Sequence, residues 1–337
     1  MANPDIRSVH FPAFLERVPD LTGRTIVITG TTSGTGKAAA RVLADHGATV
    51  LLLNRASTRS DASFAELSAA VPTAALHQVE CDLQSFASVE RAAAEVRRLC
   101  PDGVHVLCNN AGVMALPDQP TGDGFDVQMQ TNHLSHFLLT RELMPLLEQA
   151  AEASGDARIV NHSSVARLGP LKTLVPEYLE KKGGELGGDG WSLRNAFFQG
   201  PRWVRYNQSK LANCTFTAAL HQRLGEKGSS VKALVAHPGF ANTQLQQTSV
   251  KEGGMGRMLT GLMMRFSQSI EDGALGILSC MVLPEAESGQ FWGPGSEQTS
   301  IKGEAAPFPL EPFYDNAETR DLLWSKSEAA IGREFVL

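Results

Sequence analysis

TIVITGTTSGTGKAAARVLADHG, residues 25–47, is the stretch on which the reading of the whole chain turns. Residues 25–29 are mostly β-branched and read as a buried strand, and the run from Lys37 reads as a helix. Between them lies TGTTSGTG (29–36). Glycines there let the backbone approach a ligand, and the following helix start offers unpaired N–H groups and the positive end of its dipole. Strand, glycine turn and helix in that order form the setting in which a dinucleotide pyrophosphate is bound. A plain tight turn would use the same residues, so the rest of the chain must decide.

Working outward, ATVLLL (48–53), AALHQVE (74–80), VHVLCN (104–109), RIVNHSS (158–164) and VKALVAHP (231–238) read as further strands. Helical stretches separate them, including a long one from about Phe125 to Leu147 and one headed by YNQSK (206–210). Such alternation predicts α/β architecture: a single Rossmann-type doubly wound domain whose mostly parallel sheet has about seven strands, with helices on both faces. The expected organisation is a leader (1–20), the domain body (21–293) and a Pro- and Gly-rich extension (294–337). Within the body, 169–203 falls outside the rhythm as an insertion, and 244–283 supplies Met- and Leu-rich helices on the substrate side.

Composition narrows the function classes. The 337 residues carry 42% hydrophobic and 20% charged side chains, as a globular protein with a large core does. A formal net charge of −6 and the absence of Lys/Arg runs argue against nucleic acid as a partner. The N-terminus lacks the apolar core of a signal peptide, and no apolar stretch approaches the length of a membrane span. The odd, scattered cysteines (81, 100, 108, 214, 280) have no metal-binding spacing and read as reduced, buried thiols, so the expected location is cytoplasmic and no metal is expected.

Tyr206 and Lys210, four apart, share a helix face one turn apart. An ammonium near a phenol favours the phenolate and lowers the phenol's pKa, which suits proton transfer. The spacing alone recurs by chance.

The glycine spacing, Gly30, Gly34 and Gly36, departs from G-x-G-x-x-G and resembles that of the short-chain dehydrogenase/reductases. Other motifs resemble that family in the same order: CDL (81–83), NNAG (109–112), TNHLSHF (131–137), NHSS (161–164), YNQSK (206–210) and HPGFANT (237–243). The resemblance covers roughly residues 20–290, and the wording is most similar to the retinol-dehydrogenase-like branch, which includes carbonyl reductases and light-dependent protochlorophyllide reductases. It implies a catalytic set of Asn132, Ser164 (with Ser163 the alternative), Tyr206 and Lys210. Tyr206 would donate the proton, Ser164 would hydrogen-bond the same oxygen, Lys210 would lower the tyrosine's pKa and hold the nicotinamide ribose, and Asn132 would hold a water.

The implied cofactor contacts are Gly30, Thr32, Ser33, Gly34, Thr35 and Gly36 in the loop, then Asn54 and Arg55, Asp82 and Leu83, and Asn109, Ala111 and Gly112. Tyr206, Lys210, Pro238, Gly239 and Thr243 complete the set. Asn54 stands where the family places an acidic residue for the ribose hydroxyls, and Arg55 follows it. The missing carboxylate and the added guanidinium favour NADP(H) over NAD(H).

One departure is large. Ser164 and Tyr206 lie 42 positions apart, where most members of the family place the pair about a dozen apart. The 169–203 insertion fills that gap beside the site, as a lid or an interface cover, and the resemblance leaves monomer or homodimer open. Val165, Arg167, Leu168, Trp191, Phe197, Phe198 and Trp203 are the expected pocket lining. That lining suits a small hydrophobic ketone, aldehyde or alcohol. Three alternatives remain: reduction of an activated C=C bond, a non-catalytic NADP(H)-binding regulator, and a nucleotide-sugar epimerase.

Overall fold

The structure, a computed structural model, describes residues 6–187, 200–241 and 267–337. Strands β1 (Thr25–Thr29), β2 (Thr49–Asn54), β3 (Leu76–Glu80), β4 (Val106–Asn109), β5 (Ala157–His162), β6 (Val231–Ala236), β7 (Gln290–Pro294) and β8 (Ala305–Pro309) form one sheet. Its order is β3-β2-β1-β4-β5-β6-β7-β8. All neighbours pair in parallel except β7 and β8. The eighth strand, one more than the expected number, comes from the 294–337 stretch, and β7 itself runs across the expected 293/294 boundary. Pro and Gly content marks that stretch as loop, but Pro307 and Pro309 sit on an edge strand, where a missing N–H costs nothing.

Central strands are buried on both faces, which is why they read as continuous apolar runs. On one face pack α4 (Phe86–Leu99), the long helix, α7 (Pro201–Lys227) and α9 (Ala317–Ile331); on the other lie α1 (Phe11–Leu15), α2 (Gly34–Asp45), α3 (Thr58–Ala70) and α8 (Ile270–Val282). The caps are local. Ser57 and Ser85 accept from the N–H groups of Ser60 and Ser88, starting α3 and α4. Gly155 and Gly228, both left-handed, end the long helix and α7.

The long helix is not continuous. It begins as α5 (Val127–Met129), widens into a π turn (Gln130–Leu134) and continues as α6 (Ser135–Ser154). Such single π turns gather at functional sites, and Asn132 lies inside this one.

Two segments outside the strand–helix rhythm are tied to the body. The leader's Val9, His10 and Phe11 N–H groups all donate to the Asp272 carboxylate at 2.8–3.0 Å. The first part of the insertion lies along α7, where Gln208 bridges Val175 N–H and Thr173 O. Among the described residues no helix is long and apolar enough to cross a membrane. All five cysteines are buried and unpaired.

Candidate active site

β1 and β4 are neighbours while their connections run in opposite directions, so the sheet's switch point lies between their carboxyl ends. Open α/β sheets bind ligands there. A cavity of about 1250 Å³ occupies this position, with Arg55 and Arg59 beyond β2 on one side and Tyr206 and Trp203 on the other.

Gly30, Thr32, Ser33, Gly34, Thr35 and Gly36 all line it. At Gly30, with φ +73°, a side chain would begin 2.8 Å from Ala111. One at Gly36 would begin 2.5 Å from Gly30 O and meet the Asn110 amide. The loop therefore packs backbone to backbone, and the Ser33 side chain makes no cap hydrogen bond at the start of α2. These features fit a pyrophosphate cradle.

Beyond β2, Arg55 lines the cavity. Asn54 lines it too, yet its amide is engaged: Oδ1 accepts from Thr31 N–H and Nδ2 donates to Thr31 Oγ1, both at 2.8 Å. It acts as a brace for the glycine loop. Arg59, absent from the expected set, also lines the cavity and donates to Thr32 Oγ1 at 2.8 Å. The available signal was a second arginine four positions after Arg55, at the start of the next helix.

Asp82 and Leu83 line the cavity, as do Ala111 and Gly112. Asn109 does not. It ends β4 with its side chain turned into the core, donating to Thr140 Oγ1 at 3.1 Å and Asn161 Oδ1 at 2.9 Å. Asn110 takes its place at the cavity, bonded to Thr29 O, Gly30 O and His162. Period-two alternation puts the two asparagines on opposite faces, and only the sheet's register decides which faces the ligand side.

At the other end, Ser164 heads the turn 165–168 and accepts from Ala166 N–H at 3.1 Å. It lines the cavity together with Tyr206. Ser163 points elsewhere: its hydroxyl donates to Lys210 O at 2.8 Å and so anchors α7. Geometry therefore separates the two serines. Lys210 Nζ donates to His162 O at 2.9 Å and lies 5.9 Å from the Tyr206 ring centre. Burial pushes the Tyr206 hydroxyl up to about 12, while the Ser164 hydroxyl works the other way. Burial also lowers Lys210 to about 8. Desolvation, the largest cause of each shift, disfavours both charged forms. A buried ion pair between Arg205 and Asp126, at 3.1 Å, fixes α7 immediately before Tyr206.

Asn132 does not line the cavity. Both its amide hydrogens are committed, to Val113 O at 3.0 Å and Ser209 Oγ at 2.9 Å, and Oδ1 accepts Val113 N–H at 2.8 Å. Its backbone carbonyl accepts from His136 Nδ1 at 3.0 Å. The side chain thereby joins the β4 loop to α7.

Pro238 and Gly239 line the cavity, and so do Val165, Leu168 and Trp203. The Trp203 ring meets that of Tyr206 edge-on, 6.0 Å between centres. Ile301, from the extension, also lines it; nothing local in its sequence announces this. Arg167 does not line the cavity and is fully buried, paired with Glu311. Thr243, Trp191, Phe197 and Phe198, and most of 244–283, lie outside the described residues.

Comparison with known proteins accords with this geometry. The family model for short chain dehydrogenase matches residues 24–178. Retinol dehydrogenase 12 of Bos taurus is 31% identical over 332 residues, spanning 98% of this chain and 93% of its own. The chain belongs to the short-chain dehydrogenase/reductase family. It falls in the retinol-dehydrogenase-like branch, an oxidoreductase lineage. Among solved structures, this family member resembles an uncharacterised protein from Mycobacterium paratuberculosis at 32% identity and a TM-score of 0.72, covering 96% of this chain and 98% of the other. It shares its fold with RhlG of Pseudomonas aeruginosa, solved as an NADP active-site complex, at 22% identity and a TM-score of 0.61, with 81% and 95% coverage.

Proposed function

We propose that this protein is an NADP(H)-dependent reductase interconverting a hydrophobic ketone or aldehyde and its alcohol, with Tyr206 as general acid and base. The observation that carries the reading is the buried Tyr206, lining one end of the cavity together with Ser164 and Lys210, while the other end bears Arg55 and Arg59.

The glycine loop and the start of α2 would hold the cofactor's pyrophosphate, and Arg55 with Arg59 would meet a 2′-phosphate by charge-assisted hydrogen bonds. Bound there, a reduced nicotinamide supplies the hydride. The chain's own residues then answer the negative charge that develops on the carbonyl oxygen. With its hydroxyl pushed up to about 12, Tyr206 is protonated at neutral pH and can give that proton to the oxygen. Ser164 offers a second hydrogen bond to the same atom. Lys210, held by His162 O and keeping most of its charge at pH 7, adds a positive field behind the tyrosine. Trp203, Val165 and Leu168 give the substrate end an apolar lining, which recommends a hydrophobic carbonyl. A cytoplasmic setting belongs to the same proposal, supported by five unpaired cysteines.

The test follows NADPH oxidation, against NADH, across apolar aldehydes, ketones and diketones, with Tyr206→Phe as control. Turnover that prefers NADPH and disappears in the variant is expected. Tight NADPH binding with no turnover across the panel overturns the reductase reading.

A further inference from the structure

Arg167 lies three residues past Ser164 with its side chain fully buried. Removing a guanidinium from water is costly unless it is paired and hydrogen-bonded, so its partners reveal what it organises. Nε and Nη2 both donate to Glu311 Oε2, at 3.2 and 3.0 Å. Nη2 also donates to the backbone oxygen and to Oε1 of Gln298, each at 3.2 Å. The guanidinium stacks on the Phe291 ring, 4.2 Å from its centre. Arg167's own N–H closes the turn on Ser164 O at 3.0 Å.

Gln298 belongs to the loop 295–304 between β7 and β8. Three residues further on, Ile301 O accepts Phe240 N–H at 2.7 Å. The same Ile301 backbone occupies the space where a side chain on Gly239 would begin. One loop therefore grips the Ser164 turn at one point and the Pro238–Phe240 turn at another. Both turns line the cavity around Tyr206. The loop is itself braced, with Gly295 N–H on Glu304 O at 2.7 Å and Gln298 Nε2 on Pro309 O at 2.6 Å.

We propose that loop 295–304 is a clasp that sets the spacing of the two turns at the chemical end of the site, and that Arg167 is a positioning residue acting through it on Ser164. The proposal rests on the reductase reading for its kinetic consequence but not for its effect on binding. Misplacement of a reacting group by about 1 Å can cost about 100-fold in rate, so a fixed spacing is worth a buried ion pair.

Arg167→Met keeps an unbranched chain over Phe291 and removes both ties. Arg167→Lys restores the charge without the fork, and Glu311→Gln is the milder variant should Arg167→Met not fold. Affinities for NADPH and for 2′,5′-ADP, which reaches only the arginine end, are compared by fluorescence and competition; NADH and ADP replace them if the wild type prefers NADH. Arg167→Met is expected to weaken NADPH about fivefold and to leave 2′,5′-ADP within about twofold. It is also expected to lower kcat about tenfold in the wild-type background but less than about twofold in Ser164→Ala, where no hydroxyl remains to be positioned. Arg167→Lys recovers part of each loss, and Glu311→Gln repeats the pattern at smaller amplitude. Equal weakening of both ligands, or the same loss of kcat in both backgrounds, overturns the clasp. A wild type that binds NADPH but reduces nothing overturns the reductase reading instead, and the ligand comparison then decides the clasp by itself.

Discussion

The two ends of the cavity are built on different principles. At the cradle end, Gly30 follows β1 while Gly34 and Gly36 open α2, and the fit comes from missing side chains and close packing at Gly30 and Gly36. At the chemical end, Ser164, Tyr206, Lys210, Gly239 and Ile301 arrive from after β5, from α7, from after β6 and from the β7–β8 loop. That end is assembled from side chains and long-range ties. The cradle can therefore be broken sterically by one local change, whereas the chemical end can lose its chemistry without losing its shape.

The sharpest separation comes from Tyr206→Phe. It removes one hydroxyl from a packed site, so kcat is expected to fall about 1000-fold while NADPH affinity stays within about twofold. Steady-state kinetics and a fluorescence titration check both halves; a large loss of affinity would mean the two ends are not separable. The converse substitution is Gly36→Val, whose new carbon would overlap Gly30 O and the Asn110 amide. NADPH affinity is expected to weaken about 100-fold, with a fall in Tm from the displaced loop.

A third comparison stays within the cradle end. Arg55→Ala and Arg59→Ala are each expected to raise the KM for NADPH about tenfold and that for NADH less than about twofold, since only the former carries the 2′-phosphate. Equal effects on both cofactors would remove the charge-matching argument for NADP(H).

The smallest effect concerns pH at the chemical end. Lys210 loses its proton near pH 8 and Tyr206 keeps its own to about 12. Reduction should therefore decline severalfold as pH rises through about 8, while the tyrosine remains a competent acid. The stability consequence has the opposite sense. Between about 8 and the ordinary lysine value of 10.5, the unfolded chain holds a proton that the folded protein has released. The wild type should thus gain stability relative to Lys210→Met across that window, by a few degrees in Tm at most. A loss of relative stability there would contradict burial as the cause of the shift.

Sequence by itself determined the strand–helix alternation, the glycine turn between β1 and α2, and the placing of Tyr206 and Lys210 on one helix face. These depend on short-range periodicity, on residues that only a tight backbone approach requires, and on a spacing of one helical turn. It favoured Ser164 over Ser163 and named Asn109 where Asn110 reaches the cavity, because neighbouring residues of an extended segment point to opposite sides and only packing against the next strand says which side is which. It could not place Ile301, or bury Arg167 against Glu311, 144 positions away. Tertiary structure decided those. It also set the direction in which burial shifts Tyr206 and Lys210, since desolvation depends on everything packed around a group and not only on the residue four positions along the helix.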